Sequence, residues 1–354
     1  MNDLAVEPGH SFKTTNGFLP PVELAPGDRF PNFILPDQSG SARSFLERAK
    51  GNYILIVGDS DDAGLQAIAQ AGLAEAGVDC FALVSELPDA ATKRAERAKL
   101  DFPLLCDSAG KIREAVRRMM GFGPRGVFAI LLDPNQRVTE SRADLDRAAL
   151  FDWAIGRARA TPRTETGAYL LGVAPVLLVP NVLTQEQCRA LIDRWENLGH
   201  EEGQVHSIVK GEETRRIHKE MKSRRDHRIM DEAVLQELAT VVGRRIGPEL
   251  NKAFGFGKFR FDRFVITCYD SERGDFFRRH RDNQTQGTHD RRFALTLNLN
   301  TDEYEGGGLT FPEYGPHRYN PPAGGAILFS CSLLHEALPI TKGRRFTLLN
   351  FLRN

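Results

Sequence analysis

Cysteine is scarce in this 354-residue chain, and the five present, Cys80, Cys106, Cys188, Cys268 and Cys331, are odd in number and widely spaced. None forms a Cys-x-x-Cys pair or a zinc-ribbon spacing, so neither a disulfide framework nor a cysteine-ligated zinc site is expected. Net charge is also missing, because 47 Lys and Arg balance 47 Asp and Glu. That balance excludes a global polyelectrolyte that coats nucleic acid, while a local basic patch stays open. Long apolar runs are absent too: the stretch within 174–180 falls far short of the ~20 residues of a membrane helix. Residues 1–8 carry no basic segment followed by an apolar one, so no secretory signal is expected. Together these absences point to a reducing, cytoplasmic compartment and no membrane partner.

What is present is the composition of a folded protein, 41% hydrophobic and 27% charged. Its length exceeds twice the ~150-residue prior for one domain, so two domains are expected. Residues 1–25 are polar, broken by Gly and Pro, and read as an N-terminal arm. In 26–156, short apolar runs alternate with helical stretches. Residues 53–57, 78–84 and 126–132 read as strands, and 62–76, 90–100 and 142–159 as helices. Alternation of this kind implies an α/β layer with mostly parallel pairing.

Residues 157–168 lack apolar periodicity and contain Pro and Gly, and 157–173 is the expected linker to a second domain over 174–354. There, Thr184 is a plausible N-cap for a helix from 185 to about 197, with Cys188, Leu191, Ile192 and Trp195 on one face. A further helical pattern covers 231–254. The period then switches to that of strands, in 259–269, 293–300, 308–311, 326–330 and 346–352. Helices followed by short strands suit an all-β barrel or jelly roll buttressed by helices.

The chemistry-bearing residues are His280-x-Asp282 and, much later, His335. Two imidazoles and a carboxylate can occupy one face of a metal octahedron and leave the opposite face open, as in non-haem Fe(II) oxygenases. The one-residue gap suits a strand end, since side chains two apart project to the same side. Arg345 opens another strand, and its planar fork matches a carboxylate held near the metal.

These residues stand in an ordered set: His280-x-Asp282, Glu305-Gly306-Gly307-Gly308-Leu309, Pro322-x-x-Gly325-Ala326, His335-Glu336-Ala337 and Gly343-x-Arg345. The set resembles the Fe(II)/2-oxoglutarate oxygenases of the prolyl 4-hydroxylase type, over roughly 174–354. The resemblance implies a double-stranded β-helix core in an α+β domain. It implies Fe(II) on His280, Asp282 and His335, with 2-oxoglutarate and O2 as co-substrates and ascorbate as a reductant to consider. Arg345 would grip the distal carboxylate of 2-oxoglutarate. Tyr269 matches a position facing the co-substrate, and a core aromatic is the equal alternative. Many relatives carry Tyr where this chain has Asn298, so Asn298 is the candidate to supply that hydrogen bond. The reaction implied is hydroxylation of a peptidyl or amino-acid-like C–H bond, with succinate and CO2 released.

The first domain has its own resemblance, carried by Pro26-Gly27-Asp28-Arg29-Phe30-Pro31, Phe102-Pro103-Leu104-Leu105-Cys106-Asp107 and Arg125-Gly126-Val127-Phe128. It is similar to peroxiredoxin and thioredoxin-fold domains. Where those place the nucleophilic cysteine, this chain reads Gly58-Asp59-Ser60-Asp61-Asp62-Ala63. Without a thiolate there is no peroxide-reducing nucleophile. Cys106 follows an apolar run and is read as buried and inert. A redoxin-like module for docking, substrate presentation or homodimerisation is what remains.

Bland readings cover the other polar residues. His289 and His317 are read as surface groups, Glu336 as a solvent-facing or supporting group, and Arg344 as pointing to solvent. The basic cluster over 210–228 (including Arg215, Arg216, Lys222, Arg224 and Arg225) is either a solvated loop and helix face or a basic rim near the iron site. Three other functions compete. A nucleic-acid dealkylating oxygenase would carry a second Arg six residues after Arg345, where this chain has Phe351. A silent interaction protein would use only the redoxin-like module. A thiol peroxidase would need the missing cysteine.

Overall fold

The computed structural model describes residues 5–6, 23–48, 50–144, 146–162, 172–209, 212–216 and 220–354. Most of the expected arm, the centre of the expected linker, and Lys210 and Lys219 of the basic cluster lie outside them. The chain divides into two compact units, Ser11–Ala168 and a second formed by Tyr169–Asn354 with Met1–His10. No helix among the described residues is long and apolar enough to cross a membrane.

The first unit is built on a five-stranded sheet in the order Leu104–Cys106, Val78–Val84, Tyr53–Gly58, Val127–Leu132, Val138–Asp144. The first three strands are parallel to one another and the last two antiparallel, the mixed sheet of a thioredoxin-like α/β fold. The expectation of mostly parallel pairing is corrected here. So is the helix expected from 142: residues up to Asp144 are strand, and the helix is Arg147–Arg159, capped by Asp146. The strand had escaped notice because Val138–Asp144 is half-exposed and polar, with one buried side chain at its start. The central strands are apolar throughout because both sheet faces are covered. Leu55, Val57, Ala129 and Leu131 pack under helices Asp62–Gln70 and Arg147–Arg159. Ile54, Ile56, Phe128 and Ile130 pack on the other side with Phe30, Phe45 and Val116.

The second unit is a jelly roll of two antiparallel sheets, with helices on the outer face of the larger. The larger sheet runs Glu201–Glu202, Arg225–Arg228, Val265–Asp270, Arg344–Arg353, Arg291–Asn298, Ala326–Ser330, Leu177–Val179. At one edge Phe259–Phe261 pairs with both Arg344–Arg353 and the short strand Ala5–Val6. The smaller sheet runs Lys222–Ser223, Phe276–His280, His335–Ala337, Leu309–Thr310, Arg318–Tyr319. Thr184 caps helix Gln185–Asn197 in a reciprocal capping box with Gln187, and Asp231 caps Glu232–Phe254.

Strand periodicity sorts the larger sheet's side chains. Ile266, Cys268, Leu295, Leu297, Phe346 and Leu348 point to the helices, where Trp195, Leu238 and Val242 meet them. Their neighbours Thr267, Tyr269, Thr296, Asn298, Arg345 and Thr347 point between the sheets, a polar set on an otherwise buried face. A one-residue slip would exchange the two sets, so the apolar face fixes the register that delivers the polar one.

The triple glycine has a steric cause. Gly306 sits at φ +82°, and a Cβ there would lie 2.9 Å from the Thr341 backbone nitrogen and 3.1 Å from the Pro339 carbonyl oxygen. Gly306→Ala is therefore expected to lower stability by about 1–3 kcal/mol in urea unfolding. Gly156→Ala, in open space within the exposed face of helix Arg147–Arg159, is expected to raise stability by up to about 1 kcal/mol. A neutral Gly306→Ala would contradict the crowding argument.

Candidate metal centre

His280 ends its strand, Asp282 follows it, and His335 begins the neighbouring strand, with His280 and His335 directly opposite in the antiparallel register. The backbone nitrogen of Asp282 donates to the Cys331 carbonyl at 2.9 Å, which ties the turn to the strand that precedes His335. One ligand atom from each of the three residues lies within 4.8 Å of the others. His280 Nε2 is 3.4 Å from Asp282 Oδ1, and His335 Nε2 is 3.3 Å from Asp282 Oδ2.

The ring orientations follow from the backbone. Nδ1 of His280 meets the Arg278 carbonyl oxygen at 2.7 Å, and Nδ1 of His335 meets that of Leu333 at 3.0 Å. A carbonyl only accepts, so each Nδ1 carries the hydrogen and a neutral ring presents a bare lone pair at Nε2. Phe277 stacks on the His280 ring, and Phe329 meets the His335 ring edge-on. Burial pushes the His335 pKa down, against the pull of Asp282. Burial also pushes the Asp282 carboxyl up, but the His335 and His280 rings and the Arg291 guanidinium outweigh it and hold it well below the usual carboxylate range. A neutral imidazole and an ionised carboxylate are the protonation states a metal requires of its ligands.

Tyr269 and Arg345 are register partners on the larger sheet and line the same cavity as the three residues. Arg345 is 1% exposed. Its Nη2 donates to Asn298 Oδ1 at 3.1 Å, whereas its buried Nε has no hydrogen-bond partner among the described residues. No carboxylate among them pairs with it. Asn298 lies outside the cavity lining: its amide donates to Asn320 Oδ1 at 2.7 Å and the Pro321 carbonyl at 3.0 Å. Its place is behind Arg345, so the co-substrate hydrogen bond expected of it is not the bond its geometry favours.

The basic cluster departs most from expectation. Lys222 and Arg224 are 4% and 8% exposed, on strand and strand-linking backbone, so for them the solvated loop and helix face is corrected. Arg224 donates to both oxygens of Asp226, at 2.8 and 3.3 Å, and to the Tyr269 hydroxyl at 3.0 Å. Lys222 reaches Asp226 at 3.2 Å and the Gln204 carbonyl at 2.9 Å. Arg224 lines the cavity with the triad and was missed as a site residue. The alternating Lys222, Arg224, Asp226 spacing was the available signal, since it places all three on one face of extended backbone. His289 and His317 are exposed, Glu336 pairs with Arg279 at 3.2 Å, and Arg344 pairs with Glu196 at 2.7 Å.

In the first unit, Asp59 adopts φ +58° and pairs with Arg113 at 2.5 Å and Arg117 at 2.7 Å. Burial pushes the Cys106 thiol up to about 11, so its thiolate is scarce at neutral pH.

Comparison with known proteins gives a family match over part of the chain. Residues 264–353 match the model of the 2OG-Fe(II) oxygenase superfamily, and Tyr269, His280, Asp282, Asn298, His335 and Arg345 all fall within that segment. The chain is similar to a PKHD-type hydroxylase of Rhizorhabdus wittichii, 33% identical over 110 residues, covering 30% of this chain and 44% of that protein. A PKHD-type hydroxylase of Paraburkholderia xenovorans is 42% identical over 80 residues, covering 20% of this chain and 35% of that protein. The chain thus spans less than half the length of these curated relatives. Among solved structures, a Pseudomonas putida prolyl-4-hydroxylase aligns with a TM-score of 0.37 and 18% identity, over 51% of this chain and 93% of that one. Peroxidoxin BcpB of Mycobacterium tuberculosis aligns with a TM-score of 0.34 and 21% identity, over 40% of this chain and 99% of that one.

Lys222 gives a pH test of its burial. Burial, with Arg224 beside it, pulls its pKa from 10.5 down to about 8. Below pH 8 the folded and unfolded chains both hold the proton. Between 8 and 10.5 only the unfolded chain does, so stability rises across that window. Urea unfolding of the wild type against Lys222→Met is expected to show a wild-type gain on the order of 2 kcal/mol from pH 8 to 10.5. A flat difference would place Lys222 in solvent.

Proposed function

We propose that the protein is an Fe(II)- and 2-oxoglutarate-dependent dioxygenase that hydroxylates a C–H bond of a peptidyl or amino-acid-like substrate. Succinate and CO2 are the co-products. The observation that carries this reading is one cavity holding two features: the converging donors of His280, Asp282 and His335, and an Arg345 guanidinium with no carboxylate partner among the described residues. The oxygenase domain is taken as 174–354 and the redoxin-like domain as 26–156, joined by 157–173.

The residues fit the group. Three electron-pair donors of nitrogen and oxygen type, on one side of the cavity, suit a facial triad. When bound, the iron supplies oxygen activation coupled to decarboxylation of the oxo acid. The chain's own residues do the rest. His280 and His335 are held in one tautomer by the Arg278 and Leu333 carbonyls, so each offers Nε2 inward. Asp282 contributes negative charge that offsets the cation's. Arg345, buried and fixed by Asn298, offers its Nε hydrogen to a carboxylate. Phe277 and Phe329 wall the centre with apolar surface that excludes water from the reacting carbon.

The PKHD-type hydroxylase relatives support hydroxylation, and Phe351, where a nucleic-acid dealkylating oxygenase would carry a second Arg, favours a peptide or amino-acid-like substrate over a nucleic acid. Ascorbate is assigned as the reductant that restores Fe(II) after unproductive turnover. The redoxin-like domain, with Asp59 and its arginine partners where a cysteine would act, is assigned to docking or homodimerisation, and the whole protein to the cytoplasm.

With Fe(II), 2-oxoglutarate and ascorbate supplied, screening peptides and amino acids is expected to find one that stimulates succinate release and gains the mass of one oxygen. His280→Ala is expected to lower that release at least a hundredfold while the circular dichroism spectrum is kept. Full turnover by the variant would overturn the assignment.

A further inference from the structure

We infer that Arg224 is a positioning residue for 2-oxoglutarate, acting through Tyr269, whose hydroxyl it turns into a hydrogen-bond donor aimed at the carboxylate that Arg345 grips. The inference rests on the proposed function and extends it to a residue outside the motifs that carry the resemblance. Arg224 is buried, and its guanidinium has donors only. Because its Nη1 donates to Tyr269 Oη at 3.0 Å, the phenol oxygen accepts on that side and its own hydrogen must point elsewhere. Tyr269 is 4% exposed and lines the cavity, and no acceptor for its hydrogen is found among the described residues. A buried hydroxyl without an acceptor is costly unless a ligand supplies one.

The acceptor's place follows from register. Tyr269 is the cross-strand partner of Arg345, whose guanidinium carbon lies 5.7 Å from the Tyr269 ring centre and whose buried Nε also lacks an acceptor. Two neighbouring donors facing one cavity are satisfied together by one carboxylate. Asp226 keeps Arg224 on station through both its oxygens, and Lys222 on the far side of Asp226 completes the ion cluster. Arg is required because a planar fork reaches Asp226 and Tyr269 at once, whereas an ammonium is a single point of contact.

The test is anaerobic titration of the Fe(II)-loaded protein with 2-oxoglutarate, read as the visible charge-transfer band. Arg224→Lys keeps a cation beside Asp226, and Tyr269→Phe removes the hydroxyl. Each is expected to raise the Kd about tenfold, and the double variant no further than the larger single effect, because both remove the same hydrogen bond. In turnover the KM for 2-oxoglutarate is expected to rise in step, with kcat within about twofold. Unchanged affinity in Arg224→Lys, or additive losses in the double variant, would overturn the inference and leave the proposed function standing. No band in the wild type would overturn the proposed function, and the inference with it. Should Arg224→Lys not fold, Asp226→Asn frees Arg224 from its anchor and is expected to raise the Kd non-additively with Tyr269→Phe; additivity there overturns the inference.

Discussion

The second unit is organised around the convergence of three ligand side chains on one point. Nε2 of His280 and of His335 and the carboxylate oxygens of Asp282 are electron-pair donors that face one another within 4.8 Å. The ring orientations are fixed from outside, by Nδ1 hydrogens donated to the Arg278 and Leu333 carbonyls. Strand pairing is what enforces the arrangement. His280 and His335 are opposed in an antiparallel ladder, and Asp282 is fastened to Cys331 by a backbone hydrogen bond.

The larger sheet does the complementary work. Its helix-facing side chains are apolar and tightly packed, so its register cannot drift, and the opposite face carries Tyr269, Asn298, Arg345 and Thr347 at fixed intervals. Burying Arg345 is tolerable because Asn298 takes one end of the guanidinium, and Asn298 is in turn held by Asn320 and Pro321. Burying Lys222 and Arg224 is tolerable because Asp226 lies between them. In the first unit the central strands are apolar on both faces, its cysteines are buried, and the turn after Tyr53–Gly58 is stapled by ion pairs to Arg113 and Arg117.

Residues with a strong local signature were legible before the fold was known. His280-x-Asp282, the glycine triplet and Gly343-x-Arg345 depend on short spacing or on backbone that only glycine tolerates, and both leave marks in a single chain. Helix Gln185–Asn197 was legible through its Thr184 cap and apolar stripe. Strand Val138–Asp144 was not, since a half-exposed strand rich in charge looks like the helix that follows it. The burial of Lys222 and Arg224 was hidden for a different reason. A charged residue reads as solvent-facing until its partner is known, and Arg224's second partner, Tyr269, is 45 positions away. Asn298 stood out as a departure from the family's Tyr, but its task depends on Asn320 and Pro321, more than twenty positions downstream.

The central claim is that these three side chains hold a metal and that Arg345 holds the far end of its organic partner. Crystals grown without oxygen in Mn(II) and 2-oxoglutarate test it most directly, with anomalous scattering locating the metal. The account predicts one peak about 2.1 Å from His280 Nε2, His335 Nε2 and an Asp282 carboxylate oxygen, an ordinary bond length for nitrogen and oxygen donors on a first-row metal. It also predicts 2-oxoglutarate density that ends at Arg345. A metal bound elsewhere, or an oxo acid turned away from Arg345, would contradict it.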